Sequence, residues 1–271
     1  MDGCIHWACL RRVLVGMSLL TFASTVSAVE PKISAAVVQA PLRVASLSFI
    51  SPDGTRQPVV EIWSNGLVKA TEVRGTRQNP VLATLSDRLS AVELKELHEL
   101  LIGSCRLGTQ TTEGIHESLQ IASEQRQLTA DIDGASATEI GILTGNRWHT
   151  VTCPAVSILT QRFPDVVEVQ NVSSAQSMLQ NIAAVALIGG GDAADLHAAT
   201  ATHKLREMHP EAGEITRRDL QLVRRLPNGN RFVQFHYVGS PGQNDGCLVC
   251  VTQSPEGPTR VSLMDSPTVV R

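Results

Sequence analysis

The chain has 271 residues and a formal net charge of −3 at pH 7, from 23 Lys and Arg against 26 Asp and Glu. This balance lacks the basic footprint of a nucleic-acid-binding protein and the one-sided charge of an acidic tail, so we expect no nucleic-acid partner. Hydrophobic residues make up 42% of the chain, enough for one large or two small domains, whereas aromatic residues make up 3%, too few for a platform that stacks sugars or single-stranded bases.

The N-terminus has the order of features that is typical of a secretory signal. Arg11-Arg12 precede the apolar stretch Val13–Val26, and Val26-Ser27-Ala28 is a small-residue cleavage site. The sequence therefore predicts a signal peptide over residues 1–28 and a secreted or periplasmic protein. The alternative is an uncleaved segment that anchors the chain, which is the one route to a membrane that we expect. Residues 29–42 are predicted to be a flexible lead-in.

Residues 43–188 have the pattern of an α+β domain. Strands are predicted at Arg43–Ile50, Val59–Trp63, Leu67–Val73, Thr138–Leu143 and Arg147–Cys153. Asn65-Gly66 and Gly145-Asn146 are hairpin turn signals, so the first three strands are expected to form a small sheet and the last two a separate hairpin. Ser90–Glu93 is a capping box at the start of a leucine-rich helix. A short helix at Pro154–Arg162 is expected to precede a longer one.

A glycine hinge is predicted at Gly189–Gly191, between two domains. It follows a helix at Val172–Ile188 with Ser173 or Ser174 as N-cap, which Gly189 ends in the left-handed conformation. Residues 192–266 are then expected to be a helix, capped by Asp192, on a four-stranded antiparallel meander, with a tail at 267–271. The strands are predicted at Leu220–Leu226, Arg231–Val238, Leu248–Gln253 and Thr259–Met264. This arrangement resembles cystatin-like modules in shape, and no functional residue carries over.

The same glycines support an alternative interpretation as a phosphate-binding loop. Gly189, Gly191 and Ala194 satisfy the G-x-G-x-x-G/A spacing after an apolar run. Val185–Ala194 resembles the pyridine-nucleotide loop of thioredoxin-reductase-like flavoproteins, and Thr216–Asp219 resembles the arginine pair that those proteins use on the ribose phosphate. The resemblance implies a strand before the loop and a dinucleotide held by the three residues. The hinge explains the same residues with fewer requirements, so no cofactor is predicted.

Export changes the interpretation of the six cysteines. Cys4 and Cys9 lie in the predicted signal, and four others remain: Cys105, Cys153, Cys247 and Cys250. We predict Cys105–Cys153 and Cys247–Cys250 disulfides, each within one domain, with buried free thiols as the alternative. Residues three apart in an extended strand are roughly 10 Å apart, whereas a disulfide needs Cα atoms within about 7 Å. The second bond therefore requires a strand that starts only at Leu248 or later.

Charge and catalytic motifs leave two classes of function open. Five arginines form the one concentration of charge in the sequence, and they fit either an anionic partner or a solvated strand edge: Arg217, Arg218, Arg224, Arg225 and Arg231. No catalytic or metal-binding residue is predicted. We expect an exported, non-enzymatic binding or interaction module whose partner is a protein or a small anion. The alternative is an exported oxidoreductase that uses the Gly189–Gly191 loop or Cys247 and Cys250 as a redox pair.

Overall fold

Two antiparallel sheets and five α-helices form the described part of the chain, which confirms the α+β class. The structure is a computed structural model that describes residues 40–75, 80–226, 228–237, 247–254 and 259–265. The predicted signal peptide, most of the lead-in and the tail at 267–271 lie outside the described residues.

Six strands form the first sheet, in the order β4-β3-β2-β1-β5-β6. They are β1 (Arg43–Ile50), β2 (Arg56–Trp63), β3 (Leu67–Gly75), β4 (Pro80–Arg88), β5 (Ala137–Thr144) and β6 (Arg147–Pro154). Both predicted hairpins are confirmed, but their separation is wrong. Leu47 of β1 lies opposite Ile140 of β5, so the second hairpin extends the first sheet. β4 was not predicted, because Val81 and Leu82 interrupt the alternation that marks a half-buried strand.

Helices cover one face of this sheet. They are α1 (Ala91–Glu99), which continues into a π-helical turn (Leu100–Ser104), α2 (Thr112–Arg126), α3 (Val156–Arg162) and α4 (Val167–Ile188). Leu47, Val60 and Ile140 are fully buried in the core between sheet and helices. Because side chains alternate along a strand, neighbouring residues such as Glu61 and Lys69 lie on the outer face.

Four strands form the second sheet, in chain order, and α5 (Gly191–Met208) packs on it. They are β7 (Leu220–Arg225), β8 (Arg231–Tyr237), β9 (Cys247–Gln253) and β10 (Arg260–Asp265). This confirms the predicted helix on a four-stranded meander. Ala198 and Leu205 of α5 contribute to a second core with Val233 and Phe235 of β8, all of them buried. The short alanine side chains let the helix approach the sheet closely.

The junction between α4 and α5 is the predicted glycine segment. Ala183–Ile188 is helical, as predicted, and Gly189 ends α4 with a φ of 113°. The predicted N-caps of both helices are wrong. α4 begins at Val167, because buried Val169 and Val172 extend its apolar stripe toward the N-terminus. α5 is capped by Gly190, whose φ of 96° favours glycine, and Asp192 lies in the first helical turn.

The α4 helix packs into both cores. Leu179 and Ala183 are buried in the first core, and Ala184 and Ile188 in the second. The boundary at Gly189–Gly191 stays a prediction.

Within the described ranges, no single helix is long and apolar enough to cross a membrane. Only α4 and α5 together, bent by 97° at their junction, meet those criteria of length and composition.

The cysteines do not form the predicted bonds among the described residues. Cys105 and Cys153 carry free thiols and are buried in the first core as small apolar side chains. Burial raises the pKa of the Cys153 thiol to about 12. β9 is regular from Cys247 onward, with Cys247 opposite Tyr237, so the predicted irregular start is wrong. Cys250, three residues along this strand, is therefore too far away for the predicted bond.

Candidate functional site

An apolar groove of about 640 Å³ lies between α1 and the first sheet. Apolar residues from β1, β5, α1 and the π-helical turn line its interior, and they include Val44, Ala45, Leu94, Leu97, Leu101 and Ile142. The polar residues that line it are all exposed and so lie at its rim: Ser64, Asn65, Lys95, His98 and Glu99. The groove thus combines an apolar interior with a polar edge.

The sequence of α1 explains the apolar wall. The Ser90 hydroxyl accepts a hydrogen bond from the Glu93 amide at 3.2 Å, and the Glu93 carboxylate accepts one from the Ser90 amide at 2.8 Å. This capping box fixes the first turn of the helix. Leu94 and Leu97 follow at helical spacing and therefore share one face.

The π-helical turn sets the far end of that wall. The Cys105 amide donates to the Leu100 carbonyl at 2.8 Å, a bond that spans one residue more than a regular α-helical bond. Leu101 is buried in the wall, whereas its neighbour Leu100 is 42% exposed. The extra residue thus keeps the leucine stripe on the groove at the point where the helix ends.

The turn between β2 and β3 forms the mouth of the groove. Gly66 has a φ of 81°, and a Cβ added there would lie 2.4 Å from the Leu89 carbonyl oxygen. The Leu89 amide donates to the Gly66 carbonyl at 2.9 Å, so the turn is held directly against the segment that enters α1. Asn65 supports the turn by accepting a hydrogen bond from the Leu67 amide at 3.1 Å. The mouth is therefore set by backbone contacts.

A second cleft, of about 310 Å³, lies at the glycine junction and brings Gly191 together with Arg217 and Arg218. A Cβ added to Gly191 would lie 2.6 Å from an Arg217 nitrogen, so this glycine makes room for the arginine. Arg217 lies 3.5 Å from a Glu93 oxygen and 3.9 Å from an Asp195 oxygen. Acidic side chains therefore already surround its guanidinium group.

This cleft lacks the context of a dinucleotide site. The segment before the glycines is the end of α4, so the strand that the flavoprotein-like interpretation of Gly189, Gly191 and Ala194 requires is not there. Ala194 is fully buried in the second core. Asn181 of α4 donates to the carbonyls of Arg217 at 2.8 Å and Leu220 at 2.7 Å, which fixes the arginine turn. We conclude that the cleft is a structural joint between the two cores.

Glu93 connects the groove and the second cleft, because it caps α1 and lies beside Arg217. The Ser90 amide, followed by the Ser90 hydroxyl and the charge of Arg217, lowers the pKa of the Glu93 carboxyl below its usual value. The carboxylate is thus held ionised as a helix cap.

The structure divides the five predicted arginines between two places. Arg225 of β7 lies directly opposite Arg231 of β8, whose guanidinium donates to the Ile188 carbonyl at 3.2 Å, whereas Arg217 and Arg218 line the glycine cleft. Across the ranges that the structure describes, no group of three or more His, Cys, Asp or Glu residues is placed to hold a metal ion.

His197 of α5 is a buried titratable group in the second core. Burial, followed by the charge of Arg231, lowers the pKa of its imidazole below the ordinary value. Below about pH 6.5 the unfolded chain therefore binds a proton that the folded chain does not. Stability is retained above that pH and is lost as the pH falls toward the lowered pKa.

We therefore expect acidification from neutral to mildly acidic pH to destabilise the wild type more than His197→Gln, which has no proton to gain. The measurement is the free energy of unfolding by urea at both pH values. His116→Gln, at an exposed position on α2, is the control and should keep the wild-type loss. Equal losses in all three proteins would contradict the assignment to His197.

No protein-family model matches the chain, and no curated protein matches it significantly. The function must therefore be inferred from the groove and from the sequence. The sequence predicted the capping box and the leucine stripe of α1, but it did not predict the groove that they border.

Proposed function

We propose that this chain is an exported, non-enzymatic binding module that holds a small amphiphilic molecule in the groove beside α1. The observation that carries the proposal is the groove itself, about 640 Å³ with an apolar interior and exposed polar groups at its rim. Sites for small molecules are concave, mostly apolar and about 300–1,000 Å³ in volume. The groove matches that description in size and in lining.

The distribution of polar groups indicates which end of the ligand enters. An apolar body would be buried against Val44, Leu89 and Leu94, the partly exposed apolar residues of the lining, where it gains the free energy of removing apolar surface from water. The polar end would remain at the rim beside Lys95 and His98. A ligand with one apolar and one polar end fits this arrangement.

Lys95 favours an anionic polar end. Its ammonium lies 3.6 Å from the Glu99 carboxylate, and both side chains are well exposed. Such surface pairs contribute only about 0–1 kcal/mol. A ligand carboxylate can therefore take the place of Glu99 at little cost, which agrees with the small anionic partner expected from the sequence.

The export part of the proposal rests on the N-terminal sequence. The order of arginine pair, apolar stretch and small-residue site in residues 1–28 supports secretion and cleavage before Val29. The intact mass of the protein released by its native host should correspond to a chain that begins at Val29. A soluble form that retains Met1 would contradict this.

We expect dodecanoate to bind the purified protein with one-to-one stoichiometry in isothermal titration calorimetry, and dodecanol to bind more weakly. Leu94→Trp fills the groove and should weaken dodecanoate binding at least tenfold, a change of about 1.4 kcal/mol. The matched control is Val92→Trp, on the same helix at a position that is 66% exposed and outside the groove. Its affinity should equal that of the wild type.

Comparing dodecanoate with dodecanol separates the contribution of Lys95 from that of the apolar interior. Lys95→Gln should reduce the affinity for dodecanoate and leave that for dodecanol unchanged. Absence of binding by both compounds, or equal losses in Leu94→Trp and Val92→Trp, would contradict the groove as the site.

A further inference from the structure

Strand β4 is an edge of the first sheet: β3 pairs with one side of it, and among the described residues no strand pairs with the other side. It pairs with β3 over nine residues, from Leu67 opposite Arg88 to Gly75 opposite Pro80, without a register shift. Residues 80–86 carry no charged side chain. Asp87 and Arg88 end the strand. A regular edge with a long stretch free of charge offers backbone N–H and C=O groups to another strand, and monomeric proteins usually protect such edges.

The charge-free stretch of β4, residues 80–86, is longer than that of the edge strand β7, which is Leu220–Val223. At the opposite edge of the same sheet, the Thr152 amide of β6 donates to the Thr112 hydroxyl at 3.0 Å, and the His149 ring donates to the Gln110 carbonyl at 2.6 Å. The edges of the second sheet carry charged residues, Arg224 and Arg225 on β7 and Arg260 on β10. Charges and capping contacts are the usual protections of an edge strand.

Apolar side chains are exposed along β4. Val81 is 59% exposed and Leu82 is 56% exposed. Val73, directly opposite Leu82 on β3, is 45% exposed. An additional strand beside β4 would cover apolar surface and satisfy backbone groups at the same time.

We propose that β4 pairs antiparallel with β4 of a second copy of this chain, about a two-fold axis at Thr84. This pairing would join the two six-stranded sheets into one continuous sheet. It places Leu82 opposite Ser86 of the second copy, and Ala83 opposite Leu85. Asp87 lies opposite Val81 of the second copy, so no like charges face each other.

The charge pattern of β4 favours a second copy as the occupant, because pairing about Thr84 places Asp87 and Arg88 opposite the uncharged Val81 and Pro80. A C2 interface uses the same patch on both subunits, and the second copy supplies a strand of equal length with a compatible charge pattern. The exposed Thr84 side chains would then face each other across the axis. This position is the most sensitive one for a test, because directly opposite like charges destabilise a strand pair.

Sedimentation equilibrium of the purified protein over micromolar to submillimolar concentrations should show a reversible dimer. Thr84→Lys and Thr84→Glu should each raise the dissociation constant of the dimer at least tenfold, and an equimolar mixture of the two should restore the dimer. Thr150→Lys is the matched control, at an exposed position on the protected edge strand β6, and should dimerise as the wild type does.

Thr84→Cys provides an independent variant, since mild oxidation should link two chains through this residue. A wild type that is monomeric at all concentrations would overturn the proposal. So would a dimer that survives Thr84→Lys, or a mixture of the two charged variants that stays monomeric.

Discussion

Replacing Gly66 by alanine is expected to lower the free energy of unfolding by about 3 kcal/mol, because two costs add. A left-handed conformation costs a residue with a Cβ about 1–2 kcal/mol. The new Cβ would also lie 2.4 Å from the Leu89 carbonyl oxygen, and a backbone atom cannot rotate away. Relieving such a clash costs about 1–3 kcal/mol. Since Gly66 lines the groove, dodecanoate binding should weaken as well.

Gly54→Ala measures the conformational cost without the steric clash. Gly54 has the same φ of 81°, in the turn between β1 and β2, but no atom lies within 4 Å of an added Cβ. This variant should lose only the conformational part, about 1–2 kcal/mol. Urea unfolding of both variants measures the difference. Equal losses would show that the contact between the turn and Leu89 does not hold the mouth of the groove.

Replacing Phe235 by alanine is expected to lower the free energy of unfolding by about 3–5 kcal/mol. Phe235 is fully buried in the second core, and its removal leaves a cavity beneath α5. The surrounding strands are hydrogen-bonded into a sheet and can close such a cavity only in part. Urea unfolding followed by circular dichroism measures the loss.

The same variant tests whether the boundary that the sequence predicts at Gly189–Gly191 separates two domains that unfold independently. In the chain that begins at Val29, Trp63 and Trp148 are the two tryptophans, and because both belong to the first sheet their fluorescence reports on that sheet. Because α4 packs into both cores, we expect the fluorescence midpoint to fall together with the circular dichroism midpoint. A fluorescence midpoint that stays in place would show that the sheets unfold as independent domains.

Local signals in the sequence predicted most of the elements. The turns at Asn65-Gly66 and Gly145-Asn146 and the capping box at Ser90 depend on residues close together in the chain. The pairing of β1 with β5 joins Leu47 to Ile140, and no local pattern encodes that contact. The second hairpin was therefore placed in a separate sheet.

The groove could not be predicted from the sequence for a similar reason. The leucine stripe of α1 predicts an apolar face, but whether that face is filled or left open depends on the distant residues that pack opposite, such as Ala45 and Ile142. The short Ala45 side chain leaves space that a larger residue would occupy. The approach of Arg217 to Gly191 was likewise not predicted, because the β7 strand that follows the arginine must first pack on α4.

The most direct test of the groove as the binding site is a methyl NMR titration of the purified protein with dodecanoate. The methyl signals of Val44, Leu89 and Leu94, which line the groove and are partly exposed, should shift and saturate together. Those of Val223 and Val249, in the second core, should stay unchanged. Shifts confined to the second core, or no saturable shift at the groove, would contradict the proposed function.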